Sequence, residues 1–175
     1  AGGLLSESTR EMLRWSREAP AIEWLWRSWC AHWVHLDLNH ALLNAAGFLL
    51  VAAWLSTSLS VRGWIIVTAS AIVSIDIGLW SLTSFEWYVG ASALTHALAA
   101  AGITMKIFDG DRLSRWAAFF GVLKLTSEQF AMPVALVGGA TVAGDAHVFG
   151  AVAGVLCGSV FASTGWCRSR TVTLS

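Results

Sequence analysis

The sequence predicts an all-α membrane protein, a polytopic bundle of closely packed apolar helices, on three observations. Of 175 residues, 56% are hydrophobic and 13% charged, where a soluble domain carries about a quarter charged residues; mean hydropathy is +0.63. Apolar runs long enough to enter a bilayer recur along the chain, separated by short polar or glycine-bearing connections. The 11 tryptophans include Trp15, Trp24, Trp26, Trp29 and Trp33 crowded into one stretch, as amphipathic rings are at headgroup depth.

Residues 1–38 read as an amphipathic segment lying along the membrane interface. Ser8-Thr9-Arg10-Glu11 fits a helix capping box, and Pro20 breaks the pattern. A transmembrane core, 39–166, follows with five stretches at about 39–59, 63–83, 91–105, 114–130 and 146–166, and a tail, 167–175, closes the chain. Alternating sides puts Arg62, then Lys106, Arg112 and Arg115, then Arg168 and Arg170 on one face, which the positive-inside rule makes cytoplasmic. The opposite connections, 84–90 and 131–145, contain no Lys or Arg, although the interfacial segment on that side carries Arg10, Arg14, Arg17 and Arg27.

The run Ala91–Met105 is short. At about 1.5 Å per residue it reaches roughly 22 Å, against roughly 30 Å of hydrocarbon. One end of this helix therefore stops inside the membrane. With the missing length on the outer side, residues 84–90 dip inward and line a protein-walled, hydrated cavity, with Ser92 at its floor.

Several classes are set aside. Formal net charge is +0 and there is no basic block, so the chain lacks the electrostatic footprint of a nucleic-acid partner. Cys30, Cys157 and Cys167 have no repeated spacing and suggest neither a zinc site nor a disulfide framework. A histidine-rich membrane metal protein is the remaining alternative of that kind. No His-x-x-x-His pair faces a bundle interior with a suitably spaced carboxylate, and no metal or cofactor is expected.

Polar side chains in lipid are costly, so each is a functional candidate. They fall into three groups. His32, His35, His40 and Asn44 come first; His40 and Asn44 are four apart on one helix face near its outer end, while His32 and His35 read as tying down the interfacial segment. Gly90-Ala91-Ser92 follows, with His96 on the helical face of Ser92 and Gly90 permitting a sharp turn into the helix. Gly144-Asp145-Ala146-His147 opens the last span, with Asp145 expected as its N-cap. The last span carries Gly150, Gly154 and Gly158 at spacing four, and the short helix answers with Ala93, Ala97 and Ala101. If these stripes meet, Ser92 and His147 come together as the nucleophile and base of acyl transfer, with no carboxylate. His40 and Asn44 then serve the oxyanion beside the Ser92 N–H. His96, the rival base, is expected to pack on His147. Asp76 and Lys124 are expected to pair with each other or to line water, and residues 130–144, rich in glycine, to form a lid.

Trp26-Arg27 followed by His35, His40 and Asn44, the Gly-x-Ser turn, and Ala-His-x-x-Gly-x-x-x-Gly from Ala146 to Gly154 together resemble a rhomboid intramembrane serine protease. The resemblance implies a six-span core with the first span missing here and five visible. It also implies Ser92 as nucleophile, His147 as base in a Ser–His dyad, and His40 and Asn44 at the oxyanion. Details are most similar to the rhombosortase branch: Trp87-Tyr88-Val89-Gly90 before Ser92, His96 four residues after it, Lys124 with Glu128-Gln129, and Asp145-Ala146-His147. Ala93 stands where many rhomboids have Gly, and His96 where Tyr is commoner. That branch implies a bacterial inner-membrane enzyme open to the periplasmic side. Its partners would be the bilayer and secreted proteins with a C-terminal Gly-Gly, an apolar anchor and a basic tail. The alternative within the family is an inactive relative that binds transmembrane helices, against which retention of both Ser92 and His147 argues.

Overall fold

The computed structural model describes residues 4–130 and 143–167. The N-terminal segment folds as α1 (Glu7–Leu13), a two-residue strand β1 (Trp15–Ser16), α2 (Ala21–Cys30) and a single tight turn at Ala31–Trp33. Five helices follow: α3 (Leu38–Leu55), α4 (Val61–Leu82), α5 (Ser92–Phe108), α6 (Arg112–Phe130) and α7 (Gly144–Thr164), with strand β2 (Trp87–Tyr88) ahead of α5.

The capping of α1 differs from the expected box. Ser6, not Ser8, is the N-cap, and its hydroxyl accepts from the Thr9 N–H at 3.2 Å. Starting there places Glu7 in the first turn, where a negative charge is favourable. Pro20 precedes α2, as its lack of an N–H suits a helix start.

Long-range bonds stitch this segment to the bundle. Trp15 and Ser16 pair antiparallel with Tyr88 and Trp87. The Arg17 guanidinium donates to the carbonyls of Leu79 (2.5 Å), Trp80 (2.7 Å), Thr83 (2.7 Å) and Phe85 (3.1 Å). A cation thus satisfies carbonyls that the last turn of α4 leaves without helical partners. Arg27 pairs with Glu23 (2.7 Å) and donates to the carbonyls of Glu11 (2.8 Å) and Arg14 (3.0 Å).

Three described helices, α3, α4 and α7, are long and apolar enough to cross a membrane by length and composition alone. The other two of the five expected stretches are α5 and α6. At 17 residues, α5 spans only about 25 Å. Helix α6, with 19 residues, carries Arg112, Arg115, Lys124 and Glu128. It packs against α5 and α7 and turns Leu113, Trp116, Phe119, Phe120 and Leu123 outward, all exposed.

The centre of the bundle is α5, which packs against α3, α4, α6 and α7. Its Ala93, Ala97 and Ala101 are fully buried. The two small-residue stripes do face each other: a Cβ added at Gly150, Gly154 or Gly158 would collide with the carbonyl oxygen of Ala93, Ala97 or Ala101 respectively. Backbone meets backbone here, and in lipid such close packing replaces the hydrophobic drive that water would supply. Gly154→Ala is therefore expected to destabilise the protein by about 1–3 kcal/mol, because the struck atom is main chain and cannot rotate away. Gly121→Ala, on α6 with nothing within 4 Å of the new methyl, should not. Thermal midpoints of the two variants in detergent test this, and equal values would contradict the stripe.

Candidate active site

The N-terminal ends of α5 and α7 bring the chemistry together. Ser92 is the first residue of α5, reached through Gly90 at φ +120, a left-handed conformation that side chains avoid. The space matters as well as the angle, since a Cβ there would stand 2.9 Å from His40 Nε2. The turn is pinned on both sides. The Gly90 N–H donates to Ala31 O at 2.9 Å, and the Tyr88 hydroxyl donates to Gly90 O at 2.7 Å. Burial holds the Tyr88 phenol above its ordinary range, so it remains a donor.

Ser92 Oγ lies 2.7 Å from Nε2 of His147. His147 is buried, 5% exposed, in the first turn of α7. Its other ring nitrogen, Nδ1, lies 2.8 Å from Glu128 Oε2. This corrects the expected carboxylate-free pair: α6 delivers an acid to the far side of the imidazole. Asp145 is not that acid, nor is it the N-cap. The helix begins one residue earlier, at Gly144, its cap residue is Ala143 with no side-chain bond, and Asp145 falls inside the first turn.

His96 stacks on His147, with ring centroids 4.3 Å apart and planes 18° from parallel. Its Nδ1 is 2.7 Å from Ser92 O and its Nε2 is 3.0 Å from Lys124 Nζ. The serine hydroxyl bonds to His147 rather than His96, which places the rival base one turn deeper. Lys124 does not pair with Asp76; it bonds Glu128 Oε1 at 2.5 Å, while Asp76 faces the Ser28 hydroxyl. An ammonium on α6 reaches the carboxylate four residues on, so the expected cross-bundle pair has no call on it.

On α3, Asp37 caps the helix by accepting from the His40 N–H at 2.8 Å. The His40 ring lies against the Gly90 turn and edge-on to His35, centroids 5.0 Å apart. The Asn44 amide donates one N–H to His40 O, on its own helix, at 2.9 Å. His32 packs edge-on to Tyr88, centroids 5.5 Å apart. Burial pulls His32 down to about 4, and burial also lowers His35 from its ordinary value. The expected lid falls almost wholly on 131–142, outside the described residues.

The residue that sequence reasoning passed over is Glu128 as the partner of His147. A signal existed: Lys124 and Glu128 are a charged i, i+4 pair near the outer end of an apolar helix, level with Ser92 and His147. Charges at such depth must find partners. A family model of the rhomboid domain matches residues 23–164, and the chain belongs to the rhomboid family. No curated protein and no solved structure matches it.

Proposed function

We propose that this chain is an intramembrane serine endopeptidase of the rhombosortase kind, and the carrying observation is the 2.7 Å contact between Ser92 Oγ and His147 Nε2. Ser92 Oγ attacks the scissile carbonyl carbon while its proton passes to His147 Nε2. The oxyanion is met by the Ser92 N–H, an orphan donor at a helix start, together with His40 and Asn44. Collapse breaks the C–N bond, and the proton on Nε2 goes to the leaving amine. Water then attacks the Ser92 ester, giving its proton to His147, which returns it to the serine as the new carboxyl end departs.

The site suits a membrane-anchored tail cut near its outward end. Helix in lipid resists unwinding because freed polar groups go unsatisfied. Residues that weaken a helix are favoured at the cut, and Gly costs about 1 kcal/mol relative to Ala. A Gly-Gly before an apolar anchor and a basic tail meets that need. Orientation with the site toward the periplasm of a bacterial inner membrane is supported by the basic ends at Arg62, Lys106, Arg112 and Arg115. Of the opposing arginines, Arg10, Arg17 and Arg27 bond backbone carbonyls and so have structural duties.

The test combines a label and a reporter. A fluorophosphonate should modify the wild-type chain at Ser92. In vesicles, a reporter with Gly-Gly, an apolar span and a basic tail should be cut, its Leu-Leu counterpart much less and a soluble casein-like substrate hardly at all. No labelling would remove the protease reading and leave a helix-binding relative. Equal cleavage of Leu-Leu would remove the Gly-Gly preference, and efficient casein cleavage the membrane-tail substrate.

A further inference from the structure

We propose that Glu128 is the positioning carboxylate of this site, and that Lys124 and His96 close a hydrogen-bonded ring which holds it, making the Ser92–His147 pair a relay supplied by three helices. The inference deepens the acyl-transfer reading and rests on it.

The argument is one of donors and acceptors. An ionised carboxylate only accepts and an ammonium only donates. Glu128 Oε2, 2.8 Å from His147 Nδ1, therefore fixes the proton on Nδ1 and leaves the Nε2 lone pair for the Ser92 hydroxyl, 2.7 Å away. Lys124 Nζ donates to Glu128 Oε1 at 2.5 Å and to His96 Nε2 at 3.0 Å. That second bond fixes the other imidazole in turn: its Nε2 accepts, so its Nδ1–H donates to Ser92 O at 2.7 Å. Both tautomers are set without conflict, and each carboxylate oxygen has its own donor.

Charge accounting points the same way. Lys124 offsets the charge of Glu128, so the carboxylate stays ionised beside a buried imidazole at limited cost. When His147 takes the serine proton, its new positive charge forms against a fixed anion. Glu128 itself takes no proton at any step. A merely structural Glu128–Lys124 pair would need neither His147 nor the split of the two oxygens between partners.

Glu128→Gln in the full chain separates the two roles, because glutamine keeps the length and an acceptor oxygen while losing the charge and the tautomer control. An aspartate-to-asparagine change in a Ser-His-Asp triad costs about 10⁴ in kcat with the geometry intact. Here kcat for the Gly-Gly reporter should fall by about 10²–10⁴, with KM changed only a few-fold and the thermal midpoint close to wild type. In ¹⁵N-histidine spectra, a downfield Nδ1–H resonance should be present in wild type and Ser92→Ala and lost in Glu128→Gln and His147→Ala. That readout does not depend on turnover. A Glu128→Gln kcat near wild type, a loss residing wholly in KM, or no such resonance in wild type would each overturn the proposal. A wild type that neither takes the fluorophosphonate nor cuts the reporter overturns the protease reading itself, and the relay with it. An active wild type with an indifferent Glu128→Gln overturns Glu128 alone.

Discussion

Ser92→Ala and His147→Ala are each expected to reduce reporter cleavage to background while leaving the fold intact. The two side chains share one hydrogen bond and act as one unit, the serine being a poor nucleophile without the base and the base idle without the serine. In a serine protease of this chemistry either loss costs about 10⁶ in kcat, and removing both costs little more. The double variant should therefore be no worse than either single one, and additive losses would indicate two independent routes. Asp145→Asn is the comparison variant. Asp145 lies in the first turn of α7, off the ring that holds His147, so its neutralisation should leave kcat within a few-fold. A loss comparable with that of His147→Ala would mean that Asp145 has been misplaced.

Asn44→Ala is expected to lower kcat by about 10²–10³ and to leave a measurable remainder, the usual consequence of removing one oxyanion donor. The amide donates to His40 O at 2.9 Å, four residues back on the same helix. The amide carries two N–H donors, one of them on that carbonyl, and the second meets an oxyanion most strongly once negative charge has developed. The loss should consequently appear in kcat with KM little changed. A rise in KM with unchanged kcat would assign Asn44 to substrate binding instead. Steady-state kinetics with the Gly-Gly reporter distinguishes the two.

The meeting of α5 and α7 was legible because small residues at spacing four mark a face without ambiguity, and both helices carry them. Ser92 was legible for a related reason: glycine two residues before a short apolar helix signals a turn, and the turn gives the hydroxyl its exposure. Helix α6 was not legible. With apolar residues around much of its circumference, hydropathy does not fix its rotation, so nothing in the pattern said whether Glu128 faced solvent, lipid or His147. The two are separated in sequence by 19 positions, most of them in the connection between their helices. The N-terminal segment was legible as helical but not in detail. Arg17 meets its carbonyl partners 62 to 68 positions away, a distance at which local signals such as a capping box carry no information. The cap at Ser6 shows the same limit from the other side, since the capping-box pattern favours Ser8, with Glu11 three residues on, while the helix starts at Ser6.

Lys124 and Glu128 make α6 more than a wall. Its outward face is apolar, and Ser114, near the opposite end, is its one fully buried residue among those described. Near the active end, its attachment to α5 and α7 includes the bonds of Lys124 to His96 and of Glu128 to His147. A polypeptide that enters the bundle by prising this end of α6 outward must break those bonds first. With that end of α6 displaced, His147 Nδ1 would lose its carboxylate partner and His96 Nε2 its ammonium.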